Sequence, residues 1–258
     1  MGKVLAILNQ KGGVGKTTTA VNLGFGLKQL GKKVLLIDFD PQGNLTFHLG
    51  YKDKPNLTVY ELLKTSAKLE SVSFEDVVIH VGDNIDLLPA DSRLSGADLT
   101  LGGVTSREKL LKKAISPVRD NYDAILIDCP PSLGFLAINA MSVADGVIVP
   151  IIPESLPLEG VQALEESIEG IQEEINPSLT IDGVIVTKYD QRQNLSKEVI
   201  EALQGHFGDK VFNTLIHVNV PLSEAPSFGK DIFSYNPKCR GAEEYLNLSK
   251  ELLERQVL

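Results

Sequence analysis

The stretch Asn9-Gln10-Lys11-Gly12-Gly13-Val14-Gly15-Lys16-Thr17-Thr18 constrains this chain more than any other. Ahead of it, Lys3-Val4-Leu5-Ala6-Ile7-Leu8 is a short apolar run of buried-strand type. Behind it, Ala20, Val21, Leu23, Gly24, Leu27 and Leu30 recur at helical spacing until Gly31. A strand, a glycine-rich turn and a helix opening at Lys16-Thr17-Thr18 make an anion site. The glycines let backbone N–H groups converge on phosphate oxygens, and the helix start adds its positive end. Lys16 is placed to reach β- and γ-phosphates, and the Thr17 hydroxyl to ligate Mg²⁺. The general phosphate-loop pattern has Gly where this chain has Gln10, and the chain instead carries an additional lysine, Lys11, before Gly12-Gly13.

The rest of the chain alternates strand and helix signals. Lys33 to Asp38 reads as a second buried strand that opens into Phe39-Asp40-Pro41-Gln42-Gly43-Asn44. Ligands of open parallel sheets lie at the carboxyl ends of the strands, so Asp38 and Asp40 fall on the same edge as the glycine loop. Carboxylates there hold Mg²⁺ or position an attacking water. Asp123 to Asp128 reads as a third strand ending in an acid, with Cys129-Pro130-Pro131-Ser132 as a mobile loop beyond it. Further strands are expected at Ile85–Pro89, Gly146–Pro150, Ile181–Thr187 and Val211–Ile216. Helices are expected at Val59–Leu63, Ser106–Arg119 (capped by Ser106), Leu158–Ile175, from Ser196, and at Gly241–Glu254. Lys109, Lys112 and Lys113 share one face of the second of these, read as solvated. The expected fold is a single α/β domain over residues 1–258 of phosphate-loop NTPase type. Its mostly parallel twisted sheet is covered by helices on both faces.

Composition narrows the class. With 258 residues, 43% hydrophobic and 23% charged, the chain can bury a substantial core. No apolar run approaches the roughly 18 residues of a membrane-spanning helix, and the first strand begins too early for a signal peptide. Ala6 stands where a myristoylation signal after Gly2 wants Ser or Thr. Cys129 and Cys239 are too few for a disulfide framework and read as buried, reduced thiols. Residues 1–130 carry 16 Lys/Arg against 15 Asp/Glu, whereas residues 131–258 carry 9 against 19. Such an acidic half argues against generic nucleic-acid binding and leaves room only for a local basic patch.

Together these motifs resemble the ParA/MinD family of deviant phosphate-loop ATPases, most closely its ParA/Soj partition branch. Lys11 to Thr18 is similar to the family's signature loop, Asp38 to Asn44 to its switch I, and Asp128 to Ser132 to its switch II. Leu222-Ser223-Glu224-Ala225-Pro226-Ser227 and Lys238-Cys239-Arg240-Gly241-Ala242-Glu243 resemble the partition branch near its C-terminus. The resemblance implies a cytoplasmic, nucleoid-associated Mg²⁺-dependent ATPase that dimerises on ATP. Lys11 would cross to the partner's phosphates as an arginine finger does, and Gly12, Gly13, Val14, Gly15, Lys16, Thr17 and Thr18 would cradle the nucleotide. Thr17, Asp38 and Asp128 would serve the metal, Asp40 would orient the attacking water, and Lys188, His217 and Asn219 would border the adenine. A ParB-type centromere-binding partner would stimulate turnover, and the dimer would hold duplex DNA without sequence preference through Lys188, Arg192, Lys197, Lys230, Lys238 and Arg240.

The chain departs from the branch where it reads His217-Val218-Asn219-Val220-Pro221 in place of the usual Pro-Arg-Asn-Val-Arg, so two arginines of the DNA-facing surface are missing. Other readings within the family are distinguishable. A MinD-type membrane-cycling ATPase ends in a basic amphipathic segment, whereas Lys250 to Leu258 has balanced charge and reads as a packed helix with a frayed end, without stable membrane insertion. An iron–sulfur carrier requires subunit-bridging cysteines, and no Cys-X-X-Cys pair is present. An ATPase that positions a protein cargo shares all of these motifs, because cargo choice lies in the partner.

Overall fold

The computed structural model describes every residue except Met1, Lys52, Lys54, Ser155 and Leu156, and the backbone alone of residues 157–160. The described strands are β1 (Lys3–Ile7), β2 (Val34–Asp38), β3 (Ile79–Gly82), β4 (Ile85–Leu88), β5 (Ala124–Asp128), β6 (Gly146–Ile151) and β7 (Ile181–Val186). They form one sheet in the order β3-β4-β2-β5-β1-β6-β7, parallel except for the antiparallel β3–β4 pair at one edge. Helices α1 (Lys16–Gln29), α2 (Asn44–His48), α3 (Val59–Ser66), α4 (Phe74–Val77), α5 (Ala97–Leu101) and α6 (Leu110–Ile115) belong to the first half. The second half supplies α7 (Phe135–Val143), α8 (Pro157–Glu174), α9 (Asn194–Phe207), α10 (Val220–Glu224), α11 (Ile232–Tyr235) and α12 (Arg240–Glu254).

Strand side chains alternate between the two faces. In β1, Val4 and Ala6 enter a core shared with α3, α6, α7, α8 and α9, while Leu5 and Ile7 enter a core shared with α1 and α12. Both faces are covered, so β1, β2 and β5 are buried at nearly every position and read as unbroken apolar runs. Helix α12 lies close on α1: a side chain at Gly26 would place its Cβ 2.2 Å from Ser249 Oγ. The Tyr245 hydroxyl and Thr19 Oγ1 sit 3.2 Å apart across the same contact.

Three local expectations are corrected. Val211 to Ile216 does not form a strand. Phe212 and Ile216 donate their amides to Val184 and Val186 carbonyls, but only isolated bridges result, at Val184–Val211 and Tyr189–His217. The Glu251 carboxylate on α12 captures the intervening amides of Asn213 and Thr214, at 2.7 and 2.9 Å, and holds that part of the run out of the ladder. Ser106 is not a cap: it lies at φ 57°, Arg107–Lys109 form a 3₁₀ turn, and α6 is six residues long. The Asn139 side chain decides this by accepting from Leu111 N and donating to Arg107 O. Cys129 is buried as expected, whereas Cys239 is partly exposed. Strand β3 has no counterpart among the sequence expectations; it pairs through a tight turn in which Asn84 adopts φ 59°.

Candidate nucleotide site

After β1 the chain builds outward to β2 and β4 on one side of the sheet, and after β5 it turns to β6 and β7 on the other. The loop following β1 therefore lies at the switch point, where parallel sheets open a crevice. Its entrance is tied down by Asn9, which is buried, donates to Pro150 O at 2.8 Å and accepts from Lys11 N at 2.9 Å. Its far end is tied by Thr187, whose hydroxyl donates to Val14 O at 2.7 Å. Gly15 occupies the cap position of α1 at φ 88° and ψ 23°, a conformation that a side chain would strain, and no side chain caps the helix. The first-turn amides are thus left to an anion.

Lys16 follows Gly15 as the first residue of α1. It is only 8% exposed, and its ammonium donates to Asn9 O at 3.0 Å and Lys11 O at 3.2 Å, folded back on its own loop. Burial lowers its pKa, and the negative charges around it, foremost Asp128, oppose that shift. No carboxylate among the described residues lies within ion-pair distance of it. A desolvated cation held only by carbonyl dipoles gains strongly when phosphate oxygens replace them.

Three carboxylates stand beside it. Asp38 and Asp128 pair in register at the ends of β2 and β5, and Asp128 also faces Ile7 at the end of β1. Asp38 is fully buried and committed to its own loop: it accepts from Thr46 N (2.8 Å), Thr46 Oγ1 (2.7 Å) and Asp40 N (3.3 Å). Burial pushes its pKa up to about 6. Asp40 accepts from Gln42 N at 3.0 Å and lines the cavity. Asp128 differs from both, because its two oxygens are buried with no hydrogen-bond partner. Burial and then the charge of Asp38 raise its pKa well above the carboxylate range, with Thr17 as the main opposing influence. Two orphaned carboxylate oxygens beside a threonine hydroxyl fit a bound Mg²⁺. The described residues offer no cluster of three or more His, Cys, Asp or Glu that would hold a metal unaided. Magnesium suits such a place, since it takes one or two carboxylates together with substrate phosphates and waters.

A cavity of about 760 Å³ runs from this loop to the far rim. Its walls include Gly12, Gly13, Gly15, Lys16, Thr17, Thr18 and Asp40 at the phosphate end, and Lys188, His217 and Asn219 at the other. Val14 is buried behind the loop, and Lys11 lies outside the cavity wall, its side chain 54% exposed and paired with Glu154 at 2.5 Å. Lys188 sits at φ 50° directly after Thr187. His217 lies under the rim, with neither ring nitrogen free. Of the six residues assigned to DNA, Lys188, Lys197, Lys230 and Lys238 are exposed without an ion pair among the described residues. Arg192 is closed onto Asp190 through two bonds of 2.7 and 2.9 Å, and Arg240 onto Glu244 at 2.7 Å. The sequence reading missed Asn9 and Thr187, which tie down the glycine loop, and Thr46, which holds Asp38; Thr187 also lines the cavity. Asn9 at the strand exit and Thr187 at the end of an apolar run were the available signals.

A glycine loop at the switch point of a parallel sheet, with a buried lysine and strand-end carboxylates, defines a phosphate-loop NTPase of the α/β class. A family model described as an AAA domain matches residues 2–181. The sporulation initiation inhibitor protein Soj of Bacillus subtilis is 48% identical over 98% of both chains. The chromosome-partitioning ATPase Soj of Treponema pallidum is 47% identical over 99% of this chain and 98% of its own. Among solved structures, Mycobacterium smegmatis cobyrinic acid a,c-diamide synthase with bound ATP analogue and magnesium superposes with a TM-score of 0.86 at 34% identity, covering 100% of this chain and 96% of that one. The chain belongs to the Soj/ParA family of partition ATPases.

Proposed function

We propose that this protein is a Mg²⁺-dependent ATPase whose ATP-bound homodimer holds duplex DNA non-specifically in the cytoplasm, and whose turnover is stimulated by a ParB-type centromere-binding partner. The observation that carries the reading is Lys16, buried under the glycine loop beside an Asp128 whose oxygens have no partner. The relatives described as chromosome-partitioning proteins and the structure holding an ATP analogue with magnesium support it.

In this reading Lys16 exchanges the carbonyls of Asn9 and Lys11 for the β- and γ-phosphates, and the free amides at the start of α1 close on the same oxygens. Thr17 and Asp128 hold Mg²⁺, with Asp38 behind them; bound there, the ion neutralises charge developing on the phosphates. Asp40 accepts a proton-bearing edge of the attacking water and orients it in line. Lys11, at the exposed lip of the loop, leaves Glu154 and crosses to the phosphates of the partner subunit, which ties turnover to dimerisation. Lys188, Lys197, Lys230 and Lys238 supply the phosphate contacts to DNA, doubled in the dimer.

The test uses Asp40→Ala to accumulate the ATP state. With ATP it sediments as a dimer and binds random-sequence duplex, with a log–log salt slope of roughly −0.9 per neutralised phosphate. Adding Lys11→Ala returns it towards monomer and abolishes DNA binding. Duplex binding that is indifferent to nucleotide, or absent at low salt, sinks the partition reading.

A further inference from the structure

At the far end of the cavity, the segment from Ile216 to Asn219, which bridges to Tyr189, is held by a helix that carries no part of the phosphate site. Glu244, in the first turn and a half of α12, is 8% exposed and gives both its oxygens to one residue of that loop. Oε2 accepts from the His217 backbone N–H at 2.9 Å, and Oε1 lies 2.6 Å from His217 Nδ1. Arg240 donates from Nε to the same Oε1 at 2.7 Å and sets Nη2 2.7 Å from His217 Nε2. A guanidinium has donors only, so Nε2 is the acceptor and the imidazole is the neutral tautomer with its proton on Nδ1, given to Glu244. Tyr189 packs edge-on against the ring at 4.9 Å and accepts from Val218 N–H at 3.1 Å.

Every donor that His217 and Val218 possess is therefore consumed. The two residues have left only their carbonyl oxygens, which take no hydrogen bond among the described residues. Asn219 adds the donor side of its amide, its Oδ1 being spent on Leu222 N at 3.3 Å. A rim of acceptors with one amide donor complements the N6-amino and N7 edge of adenine, and it leaves the O6 of guanine facing oxygen. Acceptors left facing each other once the base excludes water discriminate strongly.

We propose that Glu244 and Arg240 are positioning residues for the base-binding end of the nucleotide cavity, and that by silencing the donors of His217, beside a Val218 N–H already given to Tyr189 O, they set its preference for adenine over guanine. The proposal rests on the ATPase reading above. It adds residues that touch neither phosphate nor metal, and it puts α12, which also packs on α1 behind the phosphate loop, at both ends of the nucleotide.

The test compares binding of ATP, GTP and inorganic tripolyphosphate to the full chain and to Glu244→Ala and Arg240→Gln, by calorimetry with Mg²⁺. Glu244→Ala frees the His217 N–H and releases the ring. ATP binding then weakens about tenfold and GTP binding much less, so the ATP-to-GTP ratio falls, while tripolyphosphate binding is unchanged. Arg240, with half its side chain exposed, is replaced without opening the core, and Arg240→Gln gives a smaller shift of the ratio in the same direction. In turnover, Glu244→Ala raises KM for ATP more than it lowers kcat. An unchanged ATP-to-GTP ratio in both variants overturns the proposal, and so does equal weakening of ATP and tripolyphosphate. Failure of the unaltered chain to bind tripolyphosphate or ATP instead removes the ATPase reading beneath it.

Discussion

The two ends of the cavity treat their cations in opposite ways. At the phosphate end Lys16 is nearly buried and bonded only to two backbone carbonyls, with no carboxylate in ion-pair range among the described residues. At the rim the arginines are exposed and already matched: Arg192 to Asp190, Arg240 to Glu244 and His217. Burial makes the difference meaningful. A desolvated ammonium without a counter-ion is held in a state that an incoming anion relieves, whereas an exposed arginine in a bidentate pair has spent its geometry locally and adds little to a surface field. A positive residue is thus evidence for an anion site in proportion to what it lacks, and sequence composition cannot supply that information.

The sharpest way to break this contrast is Lys16→Ala. Losing two charge-assisted contacts to phosphate should weaken ATP binding roughly a thousandfold, read by calorimetry. Near-native affinity would mean that the glycine loop's amides alone hold the nucleotide. Asp40→Ala should separate chemistry from binding at the same end: turnover falls about a hundredfold or more while ATP affinity stays within threefold. A parallel loss of both would make Asp40 part of the binding site instead.

A buried basic group away from the phosphate end provides a control. His48 is 2% exposed; its Nε2 has no partner, and burial lowers its pKa from 6.5 to about 4 despite a backbone hydrogen bond to Lys230. The folded state therefore binds this proton less well than the unfolded chain does. Its contribution to stability is complete above pH 6.5 and is lost as the pH falls from 6.5 towards 4, a span worth roughly 3 kcal/mol. Urea midpoints measured across that interval should fall, and His48→Gln should flatten the profile. A profile unaffected by the substitution would assign the acid loss to other groups.

The smallest expected effect probes the rim. Arg192 is paired so closely that Asp190 is held well below the ordinary carboxylate range, first by the side-chain hydrogen bond from Arg192. Asp190→Asn releases the guanidinium, and ATP-dependent DNA affinity should rise about threefold with a salt slope steeper by up to about one contact. Arg192→Ala, by contrast, should change little. A large loss in Arg192→Ala would show that the pair opens on DNA and that the contrast between the two ends disappears in the complex.

The phosphate end was legible because its information is local. Strand, glycine turn and helix start are contiguous, so Gly15 at positive φ, Lys16 and Thr17 fall into place from spacing alone. Buried parallel strands are apolar at nearly every position, which made β1, β2 and β5 plain, and their terminal acids had to meet on the sheet edge. The rim was not legible, because its residues act through partners distant in sequence. His217 read as a residue facing the base, yet Glu244, 27 positions later, takes its donors. Val211 to Ile216 had the composition of a strand, yet Glu251 withdrew the amides of Asn213 and Thr214 from the ladder. Ser106 had the residue type of a cap, yet Asn139 fixed the backbone around it otherwise. Backbone propensity and hydrophobic period determined the parallel centre of the sheet, β1, β2 and β5, and the phosphate loop by themselves. Which polar groups remain free to meet a ligand was decided only by tertiary structure, because a buried carboxylate or amide takes whichever donor the packing of distant segments brings within about 3 Å.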